Sequence, residues 1–178
     1  MIAAVDVYYH PPGGATAAAV VFPDWGANDV ETELRENIAR VAPYEPGSLY
    51  KRELPCLLLV LAKVCDGLET VIVDGYVWLA PDDRPGLGAH VYRALGSGIP
   101  VVGVAKSPFR GSSNALLVLR GRSRKPLYVT AVGMDRGLAA KQVASMHGSH
   151  RMPTMLKRAD RLCRTFSAWE TPNSYRLR

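Results

Sequence analysis

This chain has few of the residues that reveal a function on sight. It carries three cysteines, Cys56, Cys65 and Cys163, in 178 residues. That odd number has no disulfide or metal-ligand spacing, so the thiols are expected to be reduced and packed, as in a cytoplasmic protein. The four histidines, His10, His90, His147 and His150, form no zinc pattern. No apolar run reaches membrane-spanning length, which speaks against a membrane partner. No basic segment leads an apolar stretch near Met1, so no signal peptide is expected. GxGxxG and Walker motifs are missing. GSSN at 111–114 lacks the strand-turn-helix context of a nucleophile elbow. There are no internal repeats and no low-complexity segments.

What remains is an ordinary globular mixture, 48% hydrophobic and 21% charged. Its length suits one domain with a substantial core. A formal net charge of +6 is compatible with a polyanionic partner but does not establish one.

Hydrophobic patterning gives the order of elements. Residues 2–9 and 15–22 read as strands joined by the turn HPPGG, hence an antiparallel hairpin. Residues 28–33 read as a third strand. PYEPG at 43–47 is a rigid loop. Ser48 is placed to cap a helix through YKRELPCLLLVLAKV, which Pro55 should kink or restart. Leu57 to Leu61 is apolar all round, so the helix should be largely buried. Residues 69–74 form a fourth strand, and Tyr76 to Gly88 an irregular loop. A short helix at 89–95 leads to strand 99–105, which implies a parallel crossover. Residues 115–119 and 127–132 pair across the basic link RGRSRK. Helices follow at 137–146 and 154–166, with a loose tail over 166–178. An antiparallel meander followed by parallel units is the pattern of an α/β, ribonuclease H-like mixed sheet flanked by helices.

The acids carry the chemistry. Asp74 ends the β-branched run VIV, where open α/β sheets place ligand sites. Asp-Gly alone is also a plain turn signal. Asp6 lies inside AAVDVYY, although aspartate is depleted in strand interiors. A buried carboxylate needs a partner or a metal, and so does Glu53 on a buried helix. Together Asp6, Glu53 and Asp74 could hold a hard cation such as Mg²⁺, and the chemistry would be metal-assisted phosphodiester hydrolysis. Lys106 follows the fifth strand directly and is delivered to the same edge, though a surface lysine there is commonplace. Asp160 has Lys157 and Arg164 at i−3 and i+4, which by pattern favours a solvated helix face with ion pairs.

Four stretches together resemble one family. PYEPGSLYKRELP is similar to the PYxPGxLxFRExP signature of endonuclease V. VDGYVWLAPDDRPGLGAH, IPVVGVAKSPFRG and HRMPTMLKRADRLCR resemble its later segments, in the right order over residues 3–165. The resemblance implies a ribonuclease H-like, Mg²⁺-dependent nuclease, with Mn²⁺ able to substitute. It implies cleavage of the second phosphodiester bond 3′ to a deaminated base, in a cytoplasmic, monomeric DNA-repair enzyme. Its metal-binding carboxylates fall on Asp6, Glu53 and Asp74, its fourth active-site position on Asp160, and its lysine on Lys106. A strand-separating wedge falls on Pro43, Tyr44, Glu45 and Pro46. A hypoxanthine pocket falls on Gly47, Leu49, Gly75 and Gly86, with Phe109 as a wall.

The chain departs from the family pattern in places. Met1 leads almost directly into the first strand. Tyr76 and Ala80 stand where histidines are usual, and Asp82 and Asp83 where arginines are. Glu45 replaces an apolar wedge residue. Two other readings stay open: a nuclease for inosine in RNA or for branched or mismatched DNA, and a binding protein for distorted nucleic acid.

Overall fold

The computed structural model describes residues 1–11, 13–79, 84–109 and 114–165. The expected loose tail at 166–178, most of GSSN, and Ala80, Asp82 and Asp83 lie outside the described residues. β1 (Ile2–His10) and β2 (Gly14–Phe22) form the expected antiparallel hairpin, with Asp6 facing Ala18 in register. β3 (Thr32–Ile38) pairs with β2 from Thr32 opposite Val21 to Ile38 opposite Ala15. The third strand therefore starts later than the sequence suggested. It is an edge strand, TELRENI, without the apolar alternation that marks a half-buried one.

α1 (Tyr50–Leu61) follows. Its N-cap is Leu49 rather than Ser48, and no side chain caps it. Pro55 lies inside the helix instead of restarting it. Pro55 and Lys51 are both exposed, so water can meet the Lys51 carbonyl that loses its donor. Nor is the Leu57–Leu61 run buried all round. Leu57, Val60 and Leu61 are buried, but Leu59 is half exposed. Each fully buried apolar side chain is worth about 1.5–3 kcal/mol.

β4 (Thr70–Val73) pairs in parallel with β1, and β5 (Val101–Ala105) in parallel with β4. α2 (Leu87–Ala94) supplies the crossover between β4 and β5. β6 (Leu116–Val118) and β7 (Leu127–Val132) complete a seven-stranded sheet in the order β3-β2-β1-β4-β5-β7-β6. α3 (Arg136–Ser145) is capped by the Asp135 side chain, which accepts from Leu138 N at 2.8 Å, and α4 (Thr154–Arg164) ends the described chain. The mixed ribonuclease H-like sheet expected from the sequence is thus present.

Strand alternation divides the core. Ala3, Val5, Val71 and Val73 pack with α1 and α2 on one face. Ile2, Ala4 and Ile72 pack with α3 and α4 on the other. A tight point lies beyond β4, where residues 75–77 cross β5. Val77 N donates to Thr130 Oγ1 on β7 at 2.9 Å. A Cβ on Gly103 would stand 2.6 Å from Gly75 O and 2.8 Å from both Val77 N and Thr130 Oγ1. The Gly103→Ala variant should therefore lose about 1–3 kcal/mol of stability in urea denaturation, as overpacking a core does. An unchanged midpoint would show that the crossing is looser than this.

Candidate active site

Parallel pairing of β1 with β4 brings two acids to one edge. Val5 registers with Val73, so Asp6 and Asp74 continue side by side at the carboxyl end. Val73 registers in turn with Gly103, which carries Lys106 to the edge just past β5. Lys106 Nζ donates to Asp74 Oδ2 at 2.5 Å. Asp6 Oδ1 accepts from Val7 N at 2.8 Å.

The helices bring two further carboxylates. Glu53 of α1 shares a narrow cleft with Asp6 and Asp74, closed by Leu57 and Leu87. Asp160 of α4 accepts from Arg164, Nε at 3.1 Å and Nη2 at 3.0 Å. The helix-face ion pair read from the sequence is therefore formed. Asp160 still adds negative charge at Asp6 and Lys106.

This crowding shows in the protonation equilibria. Burial, then the Asp74 charge, push the Asp6 carboxyl from 3.8 up to about 6, against the Val7 N–H that favours its ionised form. Burial, then Asp6 and Asp74, push Glu53 from 4.5 up to about 7. Burial alone would lower the Lys106 ammonium. The Asp74 hydrogen bond and charge, with Asp6 and Asp160, outweigh it and hold the ammonium above its usual range.

A set of carboxylate oxygens with surplus negative charge is the donor chemistry of a hard divalent cation. The oxygens do not form a ready shell, however. Among the described residues, no three His, Cys, Asp or Glu side chains are close enough to hold one ion together. Asp74 is held by Lys106, Asp160 by Arg164, and Asp6 accepts from Val7 N. The residues fit such an ion by type.

A cavity of about 340 Å³ opens beside the acids. Glu53 and Asp74 reach its wall, and Tyr44, Gly47, Leu49, Gly75, Gly86 and Phe109 all line it. Among the residues expected to form a wedge, Tyr44 is 60% exposed. Glu45 is paired with Lys51 at 2.5 Å. Pro43 and Pro46 flank them in exposed chain. A Cβ at Gly75 would meet nothing within 4 Å, so that position faces open space. Gly86 differs. A Cβ there would stand 2.4 Å from Tyr76 O, so its smallness serves the packing of its own loop. On either side of residues 80–83 the described part of that loop pairs with itself. Gly86 N donates to Val77 O at 2.7 Å and Leu79 N to Arg84 O at 2.8 Å.

Sequence reasoning passed over Tyr50, Leu79 and Arg84, which share the cavity. Tyr50 stacks on His90 of α2 with centroids 3.7 Å apart, a contact no local signal could announce. It also passed over Arg151, whose guanidinium donates to the carbonyls of Lys106 and Pro126. Several basic side chains are committed within the fold. Arg120 is buried, 6% exposed, and donates to carbonyls from Ala144 to Arg151. Arg158 pairs with Glu33. Arg122, Arg124 and Lys125 remain exposed. All three cysteines are free; Cys56 and Cys163 are buried, whereas Cys65 is only half-buried.

The family model for Endonuclease V matches residues 1–161. The Endonuclease V of Streptomyces coelicolor is 35% identical over 185 residues, covering 92% of this chain and 77% of the relative. A solved Endonuclease V from Streptomyces avermitilis superposes with a TM-score of 0.70 at 30% identity, covering 92% of this chain and 79% of that one. The fold is also shared with Ciona intestinalis Endonuclease V, solved in complex with a 24mer DNA containing an inosine followed by a ribo-adenosine. That match has a TM-score of 0.74 at 21% identity over 92% of this chain and 84% of that one.

The raised carboxyls have a consequence for stability. Asp6 and Glu53 bind protons more tightly folded than unfolded, so their ionisation opposes folding. In metal-free buffer their contribution should rise as pH falls from about 8, through the folded values near 7 and 6, and level off below the unfolded values near 4. The Asp6→Asn/Glu53→Gln double variant should flatten that part of the thermal-stability profile. Parallel profiles for variant and wild type would contradict the charge crowding.

Proposed function

Because the chain belongs to the endonuclease V family of metal-dependent, phosphodiester-cleaving nucleases, we propose that it is a Mg²⁺-dependent endonuclease for deaminated bases in DNA. The observation that carries this is the convergence of Asp6, Glu53, Asp74 and Lys106 on one sheet edge beside an aromatic-walled cavity. The scissile bond is the second phosphodiester 3′ to the lesion. The chain acts through one ribonuclease H-like domain and as a monomer, with Mn²⁺ able to replace Mg²⁺. Among the described residues no helix is long and apolar enough to cross a membrane.

Asp6, Glu53 and Asp74, with Asp160 behind them, would hold the cation. When bound, it supplies Lewis-acid charge for phosphodiester hydrolysis. The Lys106 ammonium, released from Asp74, is then free to meet a phosphate oxygen of the strand. Tyr44, held out between two prolines, stacks on a base beside the lesion, an interaction worth about 1–3 kcal/mol. The flipped base enters between Gly47, Gly75 and Phe109. Hypoxanthine presents a carbonyl oxygen and a ring N–H where adenine has an amino group and a bare nitrogen. Backbone amides and carbonyls discriminate the two because mispaired polar groups stay unsatisfied.

The test is a gel assay on labelled strands carrying inosine in DNA or in RNA, with Mg²⁺ or with chelator. Inosine DNA should be cut only with Mg²⁺, and Asp74→Asn should abolish cutting while leaving the fold intact. Cutting of RNA alone, or of branched and mismatched DNA without inosine, would replace the substrate. Lesion binding without cutting would leave a binding protein. Tyr44→Ala should weaken lesion binding by roughly tenfold, as loss of one stacked base does, with the Tm unchanged. A large fall in Tm with binding intact would mean that the ring serves packing instead.

A further inference from the structure

The segment after Lys106 is held in two separate ways. Lys106 itself is fixed at both ends: its ammonium on Asp74 and its carbonyl by the Arg151 guanidinium. The next described residues are tied by the Tyr76 side chain. The Tyr76 hydroxyl donates to Ser107 O at 2.9 Å and accepts from Phe109 N at 3.1 Å. One oxygen thus satisfies both backbone groups of a chain that has left the sheet. The Tyr76 ring is 7% exposed and lies 6.1 Å from the Phe109 ring, tilted by 58°.

The anchor is itself immobile. On either side of Tyr76, residues 75 and 77 are pressed on Gly103 and tied to Thr130. The carbonyl of Tyr76 accepts from Gly88 N at 3.0 Å at the start of α2. Phe109, by contrast, is 39% exposed and lines the cavity. Its ring is placed by the backbone bond to Tyr76 and by contact with the Tyr76 ring. Rigid sites hold their recognition groups by such supporting bonds, and small displacements cost affinity.

We propose that Tyr76 is a specificity-determining positioning residue, whose hydroxyl clasps Ser107 and Phe109 and so fixes the Phe109 wall against the entering base. The inference rests on the nuclease reading of the same site. It places Tyr76 in base selection and not in bond cleavage, because Lys106 and Asp74 are tied independently of it.

The Tyr76→Phe variant keeps the ring and removes both hydrogen bonds. Binding of strands with inosine or adenine at one position is read by fluorescence anisotropy in chelator, and cleavage of the inosine strand with Mg²⁺. Preference for inosine should fall about tenfold and KM rise to match, while kcat changes by less than about twofold, since two backbone bonds are lost away from the reacting groups. In a Phe109→Ala background the same substitution should cost little more, because both changes act through one ring. An unchanged preference, an equal loss for both strands, a fall confined to kcat, or full additivity with Phe109→Ala would each overturn the proposal. Absence of inosine preference in the wild type would instead overturn the nuclease reading on which it rests.

Discussion

Like charges gathered at the carboxyl edge of β1 and β4 set the terms for the rest of the site. Asp6, Glu53 and Asp74 come from the ends of two strands and from a helix and line one narrow cleft, where Lys106 pairs with Asp74. Burial strengthens their repulsion and weakens their solvation together. The resulting charge is met locally by Lys106 on Asp74 and by Arg164 on the outer carboxylate Asp160, and it favours the protonated forms of Asp6 and Glu53. A divalent cation would answer the same surplus with greater charge density. The fold itself must tolerate the negative edge. Two packed cores, one on each face of the sheet, provide that tolerance.

The second constraint is the crossing of residues 75–77 over β5. Gly103 makes room for it and Thr130 receives its backbone. From there the chain turns back through Gly86 and Gly88 into α2, pairing with itself on the way. This path places the cavity immediately beside the acids, and it plants Tyr76 where its hydroxyl can reach the chain beyond Lys106. The acid edge and the cavity therefore meet along this stretch of chain.

Much of this was legible in the chain itself. The β-branched run before Asp74 marked a strand with an acid at its end, and the carboxylate at Asp6 stood out because aspartate is depleted in strand interiors. The hairpin, the parallel pair and the flanking helices followed from periodicity and loop length. Other features were not legible, for local reasons. β3 begins at Thr32 because pairing to β2 decides an edge strand whose own residues are mostly polar. Pro55 stays inside α1 because its face is exposed, a fact of tertiary placement. Arg120 looks like surface charge in RGRSRK, yet it is the buried clasp of the segment between α3 and α4.

Residue types and their order along the chain determined the chemistry available here: hard oxygen donors, one lysine after a strand, and a proline-bounded tyrosine. They determined the family and the sheet as well, since hydrophobic periodicity and motif order are properties of the chain alone. Tertiary structure decided which charges are paired and which groups hold others in place. Lys106 rests on Asp74, Asp160 turns to Arg164, and Tyr76 binds a segment more than thirty residues away. Such contacts join residues with no fixed spacing, and their strength depends on burial and distance, which exist only once the chain has folded.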